Sequence, residues 1–265
     1  MTIILFTSDL DRTLIYSKNM MDKYPIDNQI TPVEFKDDQV ITYMSQTSID
    51  LLQQFNQQHL FVPVTTRALY QYERIEVFQQ KIKPKYAIVS NGGTILVDGK
   101  PDSEWDDFIK NHLSVTSLPH HDMLNTFAKI RHDSWVEREF YIDSLFYMYH
   151  VNKDTLPHQE LLSFEDELNK IGWRTFLHGR KLYILPSNLN KVFAVEHLKK
   201  RLDYDIHTAA GDSLMDYDMI AIADKGYSLK HGELYDVKPN DPKINWLKGK
   251  GAASTEDLIK NLLSL

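Results

Sequence analysis

Asp9 and Asp11, in Ser8-Asp9-Leu10-Asp11-Arg12-Thr13-Leu14, stand where a short apolar run over residues 3–8 gives out. In an extended backbone residues two apart face the same side, so the two carboxylates would be presented together. Unpaired carboxylates ~4 Å apart repel by roughly 1 kcal/mol in water and ~4 kcal/mol at an effective dielectric of 20. A phosphate dianion brought beside them would multiply that repulsion. A pair put to such use therefore implies a cation, and hard carboxylate oxygens suit Mg²⁺. Taken alone, the segment reads equally as a capped turn, since Asp and Thr are common where strands end.

Three more segments carry groups of the kind phosphoryl chemistry needs. Thr65, in Thr65-Thr66-Arg67, follows a second apolar run, where its hydroxyl and nearby amides could take a phosphoryl oxygen; its other reading is a helix cap. Lys191 opens a predicted helix, and a cation beside a helix N-terminus is unfavourable unless an anion balances it. Its other reading is a solvated surface lysine. Gly211-Asp212-Ser213-Leu214-Met215-Asp216 places two carboxylates four residues apart, one helical turn, at the end of a run of small apolar residues. In isolation this is also an N-cap.

The elements that must hold these groups alternate at both ends of the chain. Residues 3–8 predict a strand buried on both faces, and residues 60–64 and 86–89 two more. Between them Ile49, Leu52 and Phe55 give residues 48–58 an amphipathic helix with a serine cap, and a further helix is expected through Phe78. Residues 33–43 read as a hairpin about the polar turn Lys36-Asp37-Asp38-Gln39. Strand–helix alternation resumes with a helix over 191–202, a strand over 206–210, a helix over 214–222 and a last helix from about 254. Such alternation implies a parallel sheet. From 94 to 185 the texture differs. Helices are expected over 105–113, 123–130 and 159–170, and strands over 140–151, 173–177 and 181–185, an inserted α+β domain. The division predicted is thus a catalytic core of residues 1–93 and 186–265 with an insertion of residues 94–185.

Together the four segments resemble the haloacid dehalogenase (HAD) superfamily, whose signature is D-x-D-x-T, a strand-end Ser or Thr, a Lys, and an acidic pair usually written G-D-x-x-x-D. The long insertion after Ser90-Asn91-Gly92-Gly93 resembles the subclass with a large α+β cap between motifs two and three, which includes Cof-type and sucrose-phosphate phosphatases. The resemblance implies an α/β, Rossmann-like core with that cap, and a flap hairpin near residues 30–45. It also implies a Mg²⁺-dependent phosphatase in which Asp9 is the nucleophile and carries an aspartyl-phosphate. Asp11 would be the general acid and base, with Lys191 and Thr65 stabilising the phosphoryl oxygens. Mg²⁺ would be held by Asp9, the Asp11 carbonyl and Asp212, with Thr13, Ser213 and Asp216 in support. Arg67, Asn91 and, in the insertion, Arg180 are the candidates for binding substrate, a small phosphate ester such as a sugar phosphate. A phosphomutase and a non-catalytic binder of phospho-ligands are the alternatives. Two residues depart from the pattern: Arg12 stands where many relatives have glycine, and Thr66 where Cof-type relatives often read T-G-R.

The bulk properties narrow the field further. A net charge of −7 and a pI near 5.9 argue against nucleic acid or anionic membrane as partners, and the absence of cysteine excludes thiolate sites. The N-terminal apolar run is too short for a signal peptide or a membrane span, so a cytoplasmic protein is expected. The histidines show no metal-ligand spacing, and His120-His121 reads as a polar helix entry. Trp135, Tyr147, Tyr149 and Trp173 are expected in the core of the insertion. Nothing in the sequence indicates an oligomeric state.

Overall fold

The computed structural model describes residues 2–265. The chain forms two compact units, Met1–Asp102 with Lys191–Leu265, and Ser103–Asn190.

In the first unit a five-stranded sheet runs in the order Ile244–Trp246, Lys225–Ser228, Ile206–Gly211, Ile4–Ser8, Leu60–Pro63, parallel throughout. Every residue of Ile4–Ser8 is buried, which is why that strand reads as unbroken apolar sequence and not as alternation. Phe6 packs its ring on Phe55 and Phe61, joining the sheet to the helix Gln46–Gln58. Leu258, Ile259 and Leu262 of Ala252–Leu263 belong to the same core. Ser45, not Ser48, caps Gln46–Gln58: its Oγ accepts from the Ser48 amide at 3.0 Å, so the helix starts earlier than its apolar positions suggested.

The hairpin is present as Ile30–Lys36 and Gln39–Ser45, turning at Asp37 and Asp38, both in the left-handed region. The long helix expected up to Phe78 is replaced by a short one, Leu69–Glu73, and a wide turn, Phe78–Ile82. Ile75 instead bridges Glu34 of the hairpin, which ends the helix. The unit also takes in residues 94–101, because Thr94–Val97 pairs back on Tyr86–Val89 and then on Lys100–Pro101. The break between units thus falls after Asp102, where the sequence reading set it after Gly93.

The second unit is a four-stranded antiparallel sheet, Trp173–His178, Lys181–Pro186, Phe146–Val151, Val136–Ile142, with the helices Ser103–Thr116, His120–Phe127 and His158–Lys170. The stretch 140–151, expected as one strand, is most of a hairpin that reverses at Asp143 and Ser144, again both left-handed. The reversal is hidden in the sequence because Phe146–Val151 is buried on both faces, so no change of period marks it. Trp135, Tyr147, Tyr149 and Trp173 share one core cluster with Phe127, Phe164 and Leu168. Among the described residues no helix is long and apolar enough to cross a membrane.

Candidate active site

The sheet register brings the motif residues together at one end. Ser8 lies opposite Ala210 on one side and Pro63 on the other. The Asp9 amide donates to Ala210 O at 3.0 Å and the Val64 amide to Ser8 O at 2.7 Å. Asp9, Asp212 and Thr65 therefore leave adjacent strands at their carboxyl ends, where open α/β sheets bind ligands. After Asp9 the chain closes a tight loop in which the amides of Thr13, Leu14 and Ile15 all donate to Leu10 O. Arg12 sits in that loop at φ 63°, a conformation glycine adopts at less cost, so the departure at this position carries some strain.

Lys191, the first residue of Lys191–Lys199, is buried and donates to Asp9 Oδ1 at 2.6 Å and Asp216 Oδ1 at 2.7 Å. This answers the helix-terminus argument: the lysine is balanced by two carboxylates and is not a solvated surface residue. Burial alone would lower its pKa, but Asp216 and Asp9 hold it above the ordinary lysine value. Asp9 is pushed up to about 7, chiefly by burial, with Lys191 opposing and Asp216 and Asp11 adding to the rise. Asp212 is raised well above the ordinary carboxylate value, first by burial and then by Asp9.

Asp216 is already saturated. Its Oδ2 accepts from the Asp212 amide at 3.2 Å, the Ser213 amide at 3.0 Å and Ser213 Oγ at 2.9 Å. A Cβ on Gly211 would lie 2.3 Å from Asp216 Cβ, so only glycine permits this fold-back. Asp212 Oδ2, in contrast, is buried and accepts no hydrogen bond. Arg12 Nε is 3.2 Å from that oxygen, an ion-pair distance without hydrogen-bond alignment. Arg12 and His231 join their loops reciprocally, Arg12 Nη2 donating to His231 O at 2.8 Å and His231 Nε2 to Arg12 O at 2.7 Å. Oxygens of Asp9, Asp212 and Asp216 lie within 4.8 Å of one another. With Asp216 engaged, the buried carboxylates of Asp9 and Asp212, both held far from their normal ionisation, are the hard-oxygen donors that fit a small divalent cation such as Mg²⁺.

Thr13 Oγ1 donates to Asp9 Oδ2 at 3.3 Å, and its carbonyl is held by Tyr16 and Thr255. Thr65 Oγ1 accepts from the Arg67 amide at 3.1 Å. The left-handed pair Ser90 and Asn91 clamps that loop, with the Asn91 amide on Thr65 O and the Ser90 amide on Arg67 O. Arg67 does not project freely. Its fork grips Asp11, Nε to Oδ2 at 2.7 Å and Nη2 to Oδ1 at 2.8 Å, while Nη1 lies 2.9 Å from Glu34 Oε1. Sequence reasoning missed Glu34, Arg74 and His231, polar residues with no motif spacing to mark them. Arg180, at the turn between two strands of the second unit, pairs with Glu137 at 2.5 Å.

A parallel α/β sheet with an aspartate at the end of an interior strand, a buried lysine on that aspartate and an acidic pair at the neighbouring strand end define a phosphatase of the HAD superfamily, a phosphoric monoester hydrolase. Within that class the chain belongs to the family described as sucrose-6F-phosphate phosphohydrolase, whose profile matches residues 3–229. Solved structures show the same fold at low identity. One is a sucrose-phosphatase from Synechocystis in complex with sucrose and phosphate, with TM-score 0.67, 16% identity, and coverage of 98% of this chain and 97% of that one. A HAD subclass IIB sugar phosphatase has TM-score 0.64 and 11% identity over 100% of both chains. A haloacid dehalogenase-like hydrolase from Bacillus subtilis has TM-score 0.58 and 13% identity over 100% of this chain and 96% of that one. No curated protein sequence matches the chain.

Proposed function

We propose that this phosphatase hydrolyses a phosphorylated sugar through an aspartyl-phosphate at Asp9. The observation that carries the reading is the buried Asp9 carboxylate, fixed by Lys191 and Thr13 at the end of the interior strand Ile4–Ser8. One Asp9 oxygen attacks phosphorus in line, and the ester P–O bond breaks. Asp11 gives the leaving oxygen its proton and takes one back from the water that hydrolyses the acyl phosphate. Lys191 supplies positive charge to the phosphoryl oxygens, and Thr65 a hydroxyl. Asp9 and Asp212, with the Asp11 carbonyl, would hold Mg²⁺, which when bound neutralises charge between nucleophile and phosphate. Asp216 and Ser213 hold Lys191 and Asp212 in place. The family description and the sugar phosphatases among the structural relatives favour a sugar as leaving group.

The test is phosphate release across a panel of sugar monophosphates, polyol phosphates, nucleotides and sugar bisphosphates, each with Mg²⁺ and with EDTA. Metal-dependent turnover concentrated on sugar monophosphates is expected. Preference for a nucleotide would overturn the sugar assignment. Isomerisation of a sugar phosphate in the presence of a bisphosphate activator would make the protein a mutase.

A further inference from the structure

Glu34 is fully buried, and it carries a charge for which the chemistry at Asp9 has no use. It lies in the hairpin strand Ile30–Lys36 where the pairing with Gln39–Ser45 slips on both sides of it. Its Oε1 receives Arg67 Nη1 and Arg74 Nη2, each at 2.9 Å, and its Oε2 receives Thr42 Oγ1 at 3.1 Å. Arg67 spends its remaining two nitrogens on Asp11. The result is a line of charges alternating in sign, Arg74, Glu34, Arg67, Asp11, leading from the hairpin to the second aspartate of the motif.

We infer that Glu34 is a positioning residue for Asp11, acting through Arg67. A guanidinium is a rigid plane, so anchoring Nη1 sets the plane in which Nε and Nη2 present themselves. A fork-to-fork pair then transfers that plane to the carboxylate it grips. A guanidinium is not deprotonated in proteins, so this clamp keeps its charge. Glu34 is also the acceptor that stays with Arg67 when one Asp11 oxygen turns to the leaving group. Without Glu34, Arg67 would follow Asp11 or swing away, and the side chain that must face the leaving oxygen would lose its reference.

The inference rests on the reading of Asp11 as proton donor, and leaving-group dependence separates the two. Phenyl phosphate expels a phenolate that benefits from a proton, whereas 2,4-dinitrophenyl phosphate expels one that does not. Wild type, Asp11→Asn, Glu34→Gln and the double variant are compared on both esters with Mg²⁺ present. A second form, Glu34→Gln with Arg74→Met, restores charge balance in case the single change fails to fold. Asp11→Asn and Glu34→Gln are each expected to lose at least about tenfold more kcat/KM, which reports cleavage of the ester bond and not the later hydrolysis common to both esters, on the phenyl ester than on the dinitrophenyl ester. In the Asp11→Asn background, Glu34→Gln should add no further selective loss. Equal losses on both esters, or none, in the Glu34 variants while Asp11→Asn remains selective would overturn the inference and reduce Glu34 to a structural residue. Equal losses in Asp11→Asn would overturn the reading of Asp11, and the inference with it.

Discussion

Lys191 with Asp9 and Arg180 with Glu137 are ion pairs of nearly equal length, 2.6 and 2.5 Å, in opposite surroundings. The side chains of the first pair are 2% and 10% exposed, those of the second 64% and 37%. Water screens the second pair and leaves it worth little. The first has lost its water, so each charge depends on the others: Lys191 rises in pKa, and Asp9 and Asp212 rise because burial and mutual repulsion outweigh the cations nearby. Contact distance therefore says little about what a pair does. Desolvation ties one of them to the charges around it and leaves the other a surface contact.

Removing a charge from the buried cluster should break this contrast most visibly. Lys191→Met leaves Asp9 and Asp216 facing each other uncompensated, and is expected to cost about 3–5 kcal/mol in metal-free protein by urea unfolding. A cost below about 1 kcal/mol would place the pair in the same class as the surface one. Asp212→Ala should next raise the Mg²⁺ concentration needed for half-saturation by at least about tenfold, measured by calorimetry, a loss of ~1.4 kcal/mol. Ca²⁺ should substitute poorly in the wild type, since its coordination is larger and looser.

The pH dependence of stability is a finer instrument. Asp9 has a folded pKa of about 7 against a reference of 3.8, so the folded state binds the proton more tightly. The stability it contributes is complete below about 4 and is lost as pH rises toward 7. Chelated wild type should therefore lose Tm between pH 5 and pH 7.5 relative to Asp9→Asn, and Mg²⁺ should remove the difference. Parallel curves would mean that Asp9 is ionised throughout. The smallest effect belongs to the surface pair: Arg180→Ala should change stability by less than about 1 kcal/mol in thermal unfolding. If its kcat/KM falls more on a sugar phosphate than on p-nitrophenyl phosphate, Arg180 grips substrate despite its tie to Glu137.

The same division governs what can be read from the sequence. Asp9, Asp11, Thr65, Lys191 and Asp212 are legible because each stands at the end or start of a regular element, and their order follows the order of the strands. Glu34 meets Arg74 across 40 residues and Arg67 meets Asp11 across 56, a geometry that no period or spacing encodes. Arg67 could be named, as a motif neighbour, but its engagement with Asp11 and Glu34 could not. Burial misled in another way at Phe146–Val151, where both faces are covered and the alternation that marks a strand end is missing. The strands Lys225–Ser228 and, at the sheet edge, Ile244–Trp246 escaped notice because they are short and carry Lys, Gly and Asn.

That Asp9 takes the phosphoryl group is tested most directly by trapping it there. Turnover of 2,4-dinitrophenyl phosphate, whose leaving group needs no proton, is quenched in acid, and the peptide containing Asp9 is examined by mass spectrometry for one added phosphoryl group. A label on Asp9 in the wild type is expected, with more of it in Asp11→Asn, where hydrolysis of the acyl phosphate lacks its base, and none in Asp9→Asn. Phosphate release by Asp9→Asn above about a tenth of the wild-type rate, a loss under ~1.4 kcal/mol of transition-state stabilisation, would contradict the account.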